Sequence, residues 1–318
     1  MQWAYGVLVD TVPALAADVA DVRVLREGPK RLAVVTVSGD RPLALKQYAD
    51  DRGAWTRRWL QRLTDAGLTA PSRFTVTPAR GWSGRHRTLV TDLATGRPWA
   101  DWTLTSTADR ESAAVAAADW VTELQSLLVA LPRRTDHRAG MELHLEAARL
   151  AYRFPRHAAH LRRVVDSVDR VLYDDQGAPA PDLVASHGDL HPENLFLAAD
   201  MGVTAIDVDT AGLRRPSYDV GYALAQLLIL SWLHTGSFET GADAGARFWR
   251  HWAAGSAVDA EAVPAEIARA LVQSLHFELV TYRTGRTELI NRWLHVADTV
   301  LTTDLPTALA ALTEEPTP

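Results

Sequence analysis

Apolar positions in the first hundred residues recur at short spacing. The segments DVRVLRE, RLAVVTVS and PLALKQY, between Asp21 and Tyr48, alternate or cluster apolar side chains, and EGPK and SGDR separate them as turns. They predict an antiparallel meander. From Asp50 to Ala66 the spacing becomes helical, stopping at Gly67 with Pro71 beyond. Two further strands, over RFTVT and RTLVTDL, complete a small sheet.

After the turn GRPW the pattern is helical for most of the remaining chain. Ala117, Val121, Leu124 and Leu128 form one apolar stripe, and helical periodicity returns over Leu143 to Tyr152 and His160 to Leu172. Ile267, Leu271, Leu275 and Leu279 repeat it in the last third. Short strand candidates, LVAS, NLFLA and VTAIDVD, interrupt the helices. A boundary near residue 96 follows, with a sheet-rich part over 1–95 and a larger helical part over 96–318. The expected architecture is α+β and two-lobed, with a cleft between the lobes. No internal repeat stands out, and the tail TEEPTP is expected to be disordered.

Composition removes several function classes. A chain of 318 residues, 47% hydrophobic and 23% charged, can bury a sizeable core without staples. No apolar run is long enough to cross a bilayer and the N-terminus lacks a signal-peptide pattern, so a cytoplasmic protein without a membrane partner is expected. The absence of cysteine excludes disulfides, thiolate catalysis and cysteine-ligated zinc. A net charge of -6 argues against a nucleic-acid partner, which needs a basic stripe to displace counterions. Of the 33 basic residues, only Lys30 and Lys46 are lysine. A lysine kept against such a bias offers a compact ammonium that the planar arginine fork cannot replace; Lys30, in the turn-like EGPKR, reads as an ordinary surface residue.

The chemistry is concentrated in SHGDLHPENLF, Ser186 to Phe196, and in VTAIDVD after it. Asp189 and Asn194 are spaced on one loop so that they can curl toward a common point, a carboxylate for an acceptor and an amide oxygen for a metal. Val203, Ala205 and Ile206 lead into Asp207 and Asp209 as a buried strand delivering carboxylates at its end. Hard oxygen donors of this kind suit Mg²⁺.

HGDLHPEN followed by IDVD resembles the aminoglycoside phosphotransferase and choline kinase family, distant relatives of protein kinases. His187, Gly188, Asp189, Asn194, Ile206, Asp207 and Asp219 match its pattern. The resemblance implies a bilobal protein-kinase-like fold and transfer of a γ-phosphoryl group from ATP or GTP to a small-molecule hydroxyl. It implies Asp189 as the base that orients the acceptor, and Asn194 and Asp207 as ligands of Mg²⁺. His187 is implied as a brace of the loop and Asp219 as its buried anchor; on its own, Asp219 reads as a carboxylate at a helix N-terminus. Asp209 either ligates a metal indirectly or caps the next turn. Leu43-Ala44-Leu45-Lys46 resembles the third kinase strand, which implies Lys46 on the phosphates and Ala44 beneath the adenine. Val90 to Leu93, including Thr91, Asp92 and Leu93, resembles the hinge that holds the base.

Two departures qualify the likeness. EGPKR has one glycine where protein kinases carry a glycine-rich loop, a feature antibiotic kinases often lack. The helix GAWTRRWLQRLTDAGL has no glutamate to pair with Lys46, leaving Asp51 as a substitute or the chain as an idle nucleotide-binding regulator. The acceptor implied is an aminoglycoside or another sugar-bearing natural product, with roles such as antibiotic resistance; choline, homoserine or a simple sugar is the alternative. Glu261, Glu266, Glu278 and Glu288, with Trp249, Trp252 and Trp293, are the candidate acceptor contacts.

Overall fold

Alternation along the first strands decides which side chains face inward, and the computed structural model shows the result. It describes residues 2–28, 30–134, 136–173, 182–255 and 258–314, without the side chains at 136–139. Residues 315–318 of the expected disordered tail lie outside the described residues, whereas Thr313 and Glu314 are helical. The chain divides into two compact units: residues 1–97, 128–131 and 194–211 form the first, and the rest forms the second.

The first unit is built on a five-stranded antiparallel sheet. Its order is Val19–Arg26, Leu32–Val37, Leu43–Gln47, Thr88–Asp92 and Ala79–Ser83. On one face Val35, Leu43, Leu45 and Val90 pack against Ala4, Val7 and Leu8 of a helix, Gln2–Thr11, that periodicity did not reveal. Each fully buried valine or leucine among them contributes about 1.5–3 kcal/mol. The opposite face carries Leu32, Val34, Ala44, Lys46, Leu89 and Thr91, because Leu32 pairs with Lys46, Val34 with Ala44, Thr91 with Ala44 and Leu89 with Lys46.

One expected strand belongs elsewhere. Phe74–Val76 does not join the meander; it runs parallel to Val203–Ala205, which pairs antiparallel with Leu195–Leu197. The strand between them in sequence, Ala79–Ser83, takes its place beside Thr88–Asp92. The helix Arg52–Asp65 turns Thr56, Leu60 and Leu63 inward at helical spacing.

In the second unit the helix Val263–His276 is buried along nearly its whole length and packs on Ser217–Thr235 and Leu289–Thr302. Leu279 continues its apolar row in a single π-helical turn, Phe277–Thr281. The helix Thr107–Ser126 buries Ala117, Val121 and Leu124, but Leu128 lies past the helix end and is fully exposed, so the expected stripe is one residue too long. The short strands Val184–Ser186 and Gly212–Arg214 pair antiparallel, Ser186 opposite Gly212. Among the described residues no helix is long and apolar enough to cross a membrane.

Candidate active site

The face of the sheet opposite the core is the wall of a cavity of about 310 Å³ in the first unit, at the lower end of ordinary small-ligand sites. Val34, Ala44 and Leu89 give it an apolar side, and Lys46, Asp207 and Asp209 a charged one. Ala44, Thr91, Asp92 and Leu93 all line it. The N–H groups of Asp92 and Leu93 already donate to the carbonyls of Pro78 (3.0 Å) and Pro42 (2.8 Å), and the Asp92 carboxylate is paired with Arg80. Ala94, next in sequence, also lines the cavity.

Asp207 reaches the cavity through backbone geometry. The hairpin of Leu195–Leu197 with Val203–Ala205 closes at its end with the Ile206 N–H on the Asn194 carbonyl, 3.0 Å. Asn194 and Asp207 therefore sit at the same end of one hairpin. Asp207 adopts the left-handed conformation, φ 58 and ψ 47, which turns the chain into the 3₁₀ segment Val208–Thr210. Such a conformation costs a non-glycine residue on the order of 1 kcal/mol and marks a carboxylate aimed by the fold.

Lys46 Nζ donates to Asp207 Oδ1 at 2.6 Å and to Asp209 Oδ2 at 2.7 Å. Burial would lower the ammonium's pKa, but the two carboxylates outweigh it and hold the pKa above the ordinary lysine value. Asp209 is itself gripped: its Oδ1 accepts the Tyr48 hydroxyl at 2.7 Å and the Thr56 hydroxyl at 3.0 Å. Burial first, and Asp209 second, push the Tyr48 phenol far above its usual pKa, so it remains a donor. Asp51 is exposed at the start of its helix and takes no part in these bonds; the carboxylates beside Lys46 come from the strand end instead.

In the second unit the loop after Ser186 is fixed from beneath. Asp219, 1% exposed, accepts the N–H of His187 at 2.7 Å and of Gly188 at 2.8 Å, one on each oxygen. Gly188 has φ 84, a conformation that glycine adopts without penalty. His187 is buried edge-on against Trp120, ring centroids 6.0 Å apart, and its Nδ1 accepts the Asp189 N–H at 3.3 Å. The Asp189 carboxylate accepts the Tyr222 hydroxyl at 2.8 Å, and burial, then Asp189, raise that phenol's pKa. Tyr222 had no sequence signal, since it lies inside an apolar helix.

The acidic and aromatic acceptor candidates divide by burial. Trp252 and Trp293 are fully buried core residues, and buried Glu266 is the partner of Arg269, Nε to Oε2 2.5 Å. Burial leaves none of these three a free face. Glu261 and Glu288 are exposed, and Glu278 and Trp249 are half-buried.

An amide oxygen and a carboxylate at one hairpin end, beside an ammonium, are the donors a phosphate-bound Mg²⁺ takes. Of the Asp207 carboxylate, Oδ1 is on Lys46, while Oδ2 has no hydrogen bond among the described residues. Asp207 thus keeps an oxygen that fits a metal, with Asn194 at the same hairpin end, although no cluster of three or more histidine or acidic ligands occurs among the described residues.

Known proteins share the family and the fold of this chain. The family described as "Phosphotransferase enzyme family" matches residues 14–262. Among solved structures, an aminoglycoside-3'-phosphotransferase of type VIII is 20% identical, with a TM-score of 0.58 over 82% of this chain and 97% of that one. A choline/ethanolamine kinase family protein from Mesorhizobium loti is 14% identical, TM-score 0.64, over 99% of both chains. The GDP complex of aminoglycoside 2'-phosphotransferase-IIIa is 14% identical, TM-score 0.63, over 94% of this chain and 97% of that one. At these identities the likeness establishes the kinase-like fold alone. No curated protein matches in sequence.

Proposed function

Because this chain belongs to the phosphotransferase enzyme family, we propose that it moves the γ-phosphoryl group of ATP or GTP onto a hydroxyl of a small molecule. The observation that carries the reading is the pairing of Lys46 with Asp207 at the wall of the first unit's cavity. An ammonium flanked by carboxylates at the charged side of an otherwise apolar hollow is the arrangement that phosphate oxygens and their counterion require. Ala44 gives the flat base a small contact, and Thr91, Asp92 and Leu93 edge it. Asn194 and Asp207 would hold Mg²⁺, which when bound supplies charge neutralisation to the phosphate oxygens.

Asp189 orients the acceptor hydroxyl. A carboxylate is a weak base beside an alcohol, yet in a loose phosphoryl-transfer transition state the proton leaves late and position matters more than basicity. The Tyr222 hydroxyl donates to one carboxylate oxygen and so helps fix the rotamer that faces the acceptor. His187 and Asp219 shape the loop that carries it and touch no reactant.

The acceptor is an aminoglycoside or another sugar-bearing natural product, with choline, homoserine or a sugar as the alternative. A screen of such hydroxyl compounds with MgATP or MgGTP, read by the mass gain of one phosphoryl group, tests the proposal. At least one acceptor should gain the group with the wild type and none with Asp207→Ala. Nucleotide binding without transfer to any acceptor would favour a regulatory role instead.

A further inference from the structure

A lysine on a strand is a mobile charge, and something must aim it. No acidic side chain of the helix Arg52–Asp65 reaches Lys46. The buried helix position nearest its partners is Thr56, 2% exposed, whose hydroxyl is turned to Asp209. Asp209 is thereby engaged on both oxygens: Lys46 on Oδ2, and Tyr48 and Thr56 together on Oδ1. Asp207 is held on one oxygen only. The two carboxylates therefore cannot have the same task. A carboxylate whose oxygens are filled by three protein donors is fixed in place but has little left for a cation, whereas one with an open oxygen can share it.

We propose that Asp209 is the positioning residue of Lys46, replacing the carboxylate that the helix lacks, and that it is not a metal ligand. This rests on the phosphotransfer reading above. Tyr48 and Thr56 act through Asp209: two hydroxyls donating to one oxygen lock the carboxylate, and the locked carboxylate keeps the ammonium in the cavity when Lys46 exchanges Asp207 for a phosphate oxygen. The helix still controls the lysine, through a hydroxyl rather than a charge.

The arrangement makes a reciprocal test available. Asp209→Ala should weaken MgADP binding, measured by calorimetry, about tenfold, lower kcat about 10–100-fold, and leave Lys46 more reactive. That last effect is readable because the chain has only two lysines: at fixed pH, acylation of Lys46 relative to exposed Lys30 should rise several-fold. T56E alone should also be impaired, since it crowds a second carboxylate against Asp209. The double variant T56E/D209A should regain most of the lost nucleotide affinity and Lys46 protection, because a glutamate at 56 reaches the space that Asp209 vacates, Thr56 Oγ1 lying 3.0 Å from its Oδ1.

Asp209→Asn, nearly isosteric, decides the matter if T56E does not fold: it should reproduce the Lys46 labelling increase in a protein that still melts cooperatively, even at a lowered melting temperature. Unchanged nucleotide affinity and unchanged labelling in D209A or D209N would overturn the proposal. So would a D209A defect seen only as a raised Mg²⁺ requirement, or a well-folded double variant no better than D209A. Wild-type protein that binds nucleotide but transfers nothing would sink the functional reading instead, with the binding and labelling arms still legible.

Discussion

Replacing Asp219 by asparagine changes one atom beneath the loop that carries Asp189. The carboxylate is 1% exposed and accepts two backbone N–H groups, at 2.7 and 2.8 Å. Asparagine keeps one acceptor oxygen and points an NH₂ at the other amide, so one charge-assisted bond is lost and the second becomes neutral. A hydrogen bond to a charged group contributes about 1.5–3 kcal/mol, and a neutral one roughly half of that. The sum is a loss of roughly 3 kcal/mol for D219N. At about 2–4 °C per kcal/mol for a unit of this size, the melting temperature should fall by about 6–12 °C. Differential scanning calorimetry and urea melts read the stability directly. Nucleotide affinity should not change, because every contact described for the cavity lies in the first unit. A D219N protein that melts within about 2 °C of wild type would refute the claim that this carboxylate anchors the loop.

Other outcomes follow from the same contacts. Tyr222→Phe removes a hydroxyl that donates to Asp189 and should lower kcat about tenfold with nucleotide KM unchanged, in steady-state assays. Lys46→Arg should lose most activity and weaken MgADP binding, because a planar fork cannot sit between Asp207 and Asp209 as the ammonium does. Glu146 is pushed up to about 7, first by burial, against a reference of 4.5, so the folded state holds its proton more tightly than the unfolded chain does. The stability this lends is full below about pH 4.5 and lost as pH rises through about 7. Melting curves of Glu146→Gln should therefore match wild type near pH 5 and exceed it near pH 8 by about 1 kcal/mol, a figure reduced because the side chain is only partly buried.

How much of this was legible before folding depends on the range of the contact. Alternation over Leu43 to Gln47 fixes which face holds Ala44 and Lys46, and the loop from His187 to Asn194 carries its residues close together in sequence. The N-terminal helix was missed because QWAYGVLVD is short and interrupted by Gly6, so that its stripe of Ala4, Val7 and Leu8 forms only against the sheet. Ala79–Ser83 contains Arg80, and its polar sequence, ARGWS, reads as a loop until Thr88–Asp92 supplies a partner. Phe74–Val76 was assigned to the wrong sheet since its parallel partner, Val203–Ala205, lies far along the chain. Asp209 could not be told from a turn cap for the same reason: Tyr48, 161 positions away, and Thr56, 153 away, are its fixed partners. Trp252 and Trp293 show the complementary limit, as an aromatic side chain that binds a ligand and one that fills a core look alike in sequence.

The central claim is that binding and transfer are divided between Asp207 and Asp189. Single-turnover transfer of a γ-labelled phosphoryl group, paired with nucleotide affinity, measures both for the wild type and for Asp189→Asn and Asp207→Asn. The account predicts that D189N binds MgATP like wild type yet transfers at least about a hundredfold more slowly, and that D207N loses both metal-dependent binding and transfer. Wild-type rates of transfer in D189N would contradict it.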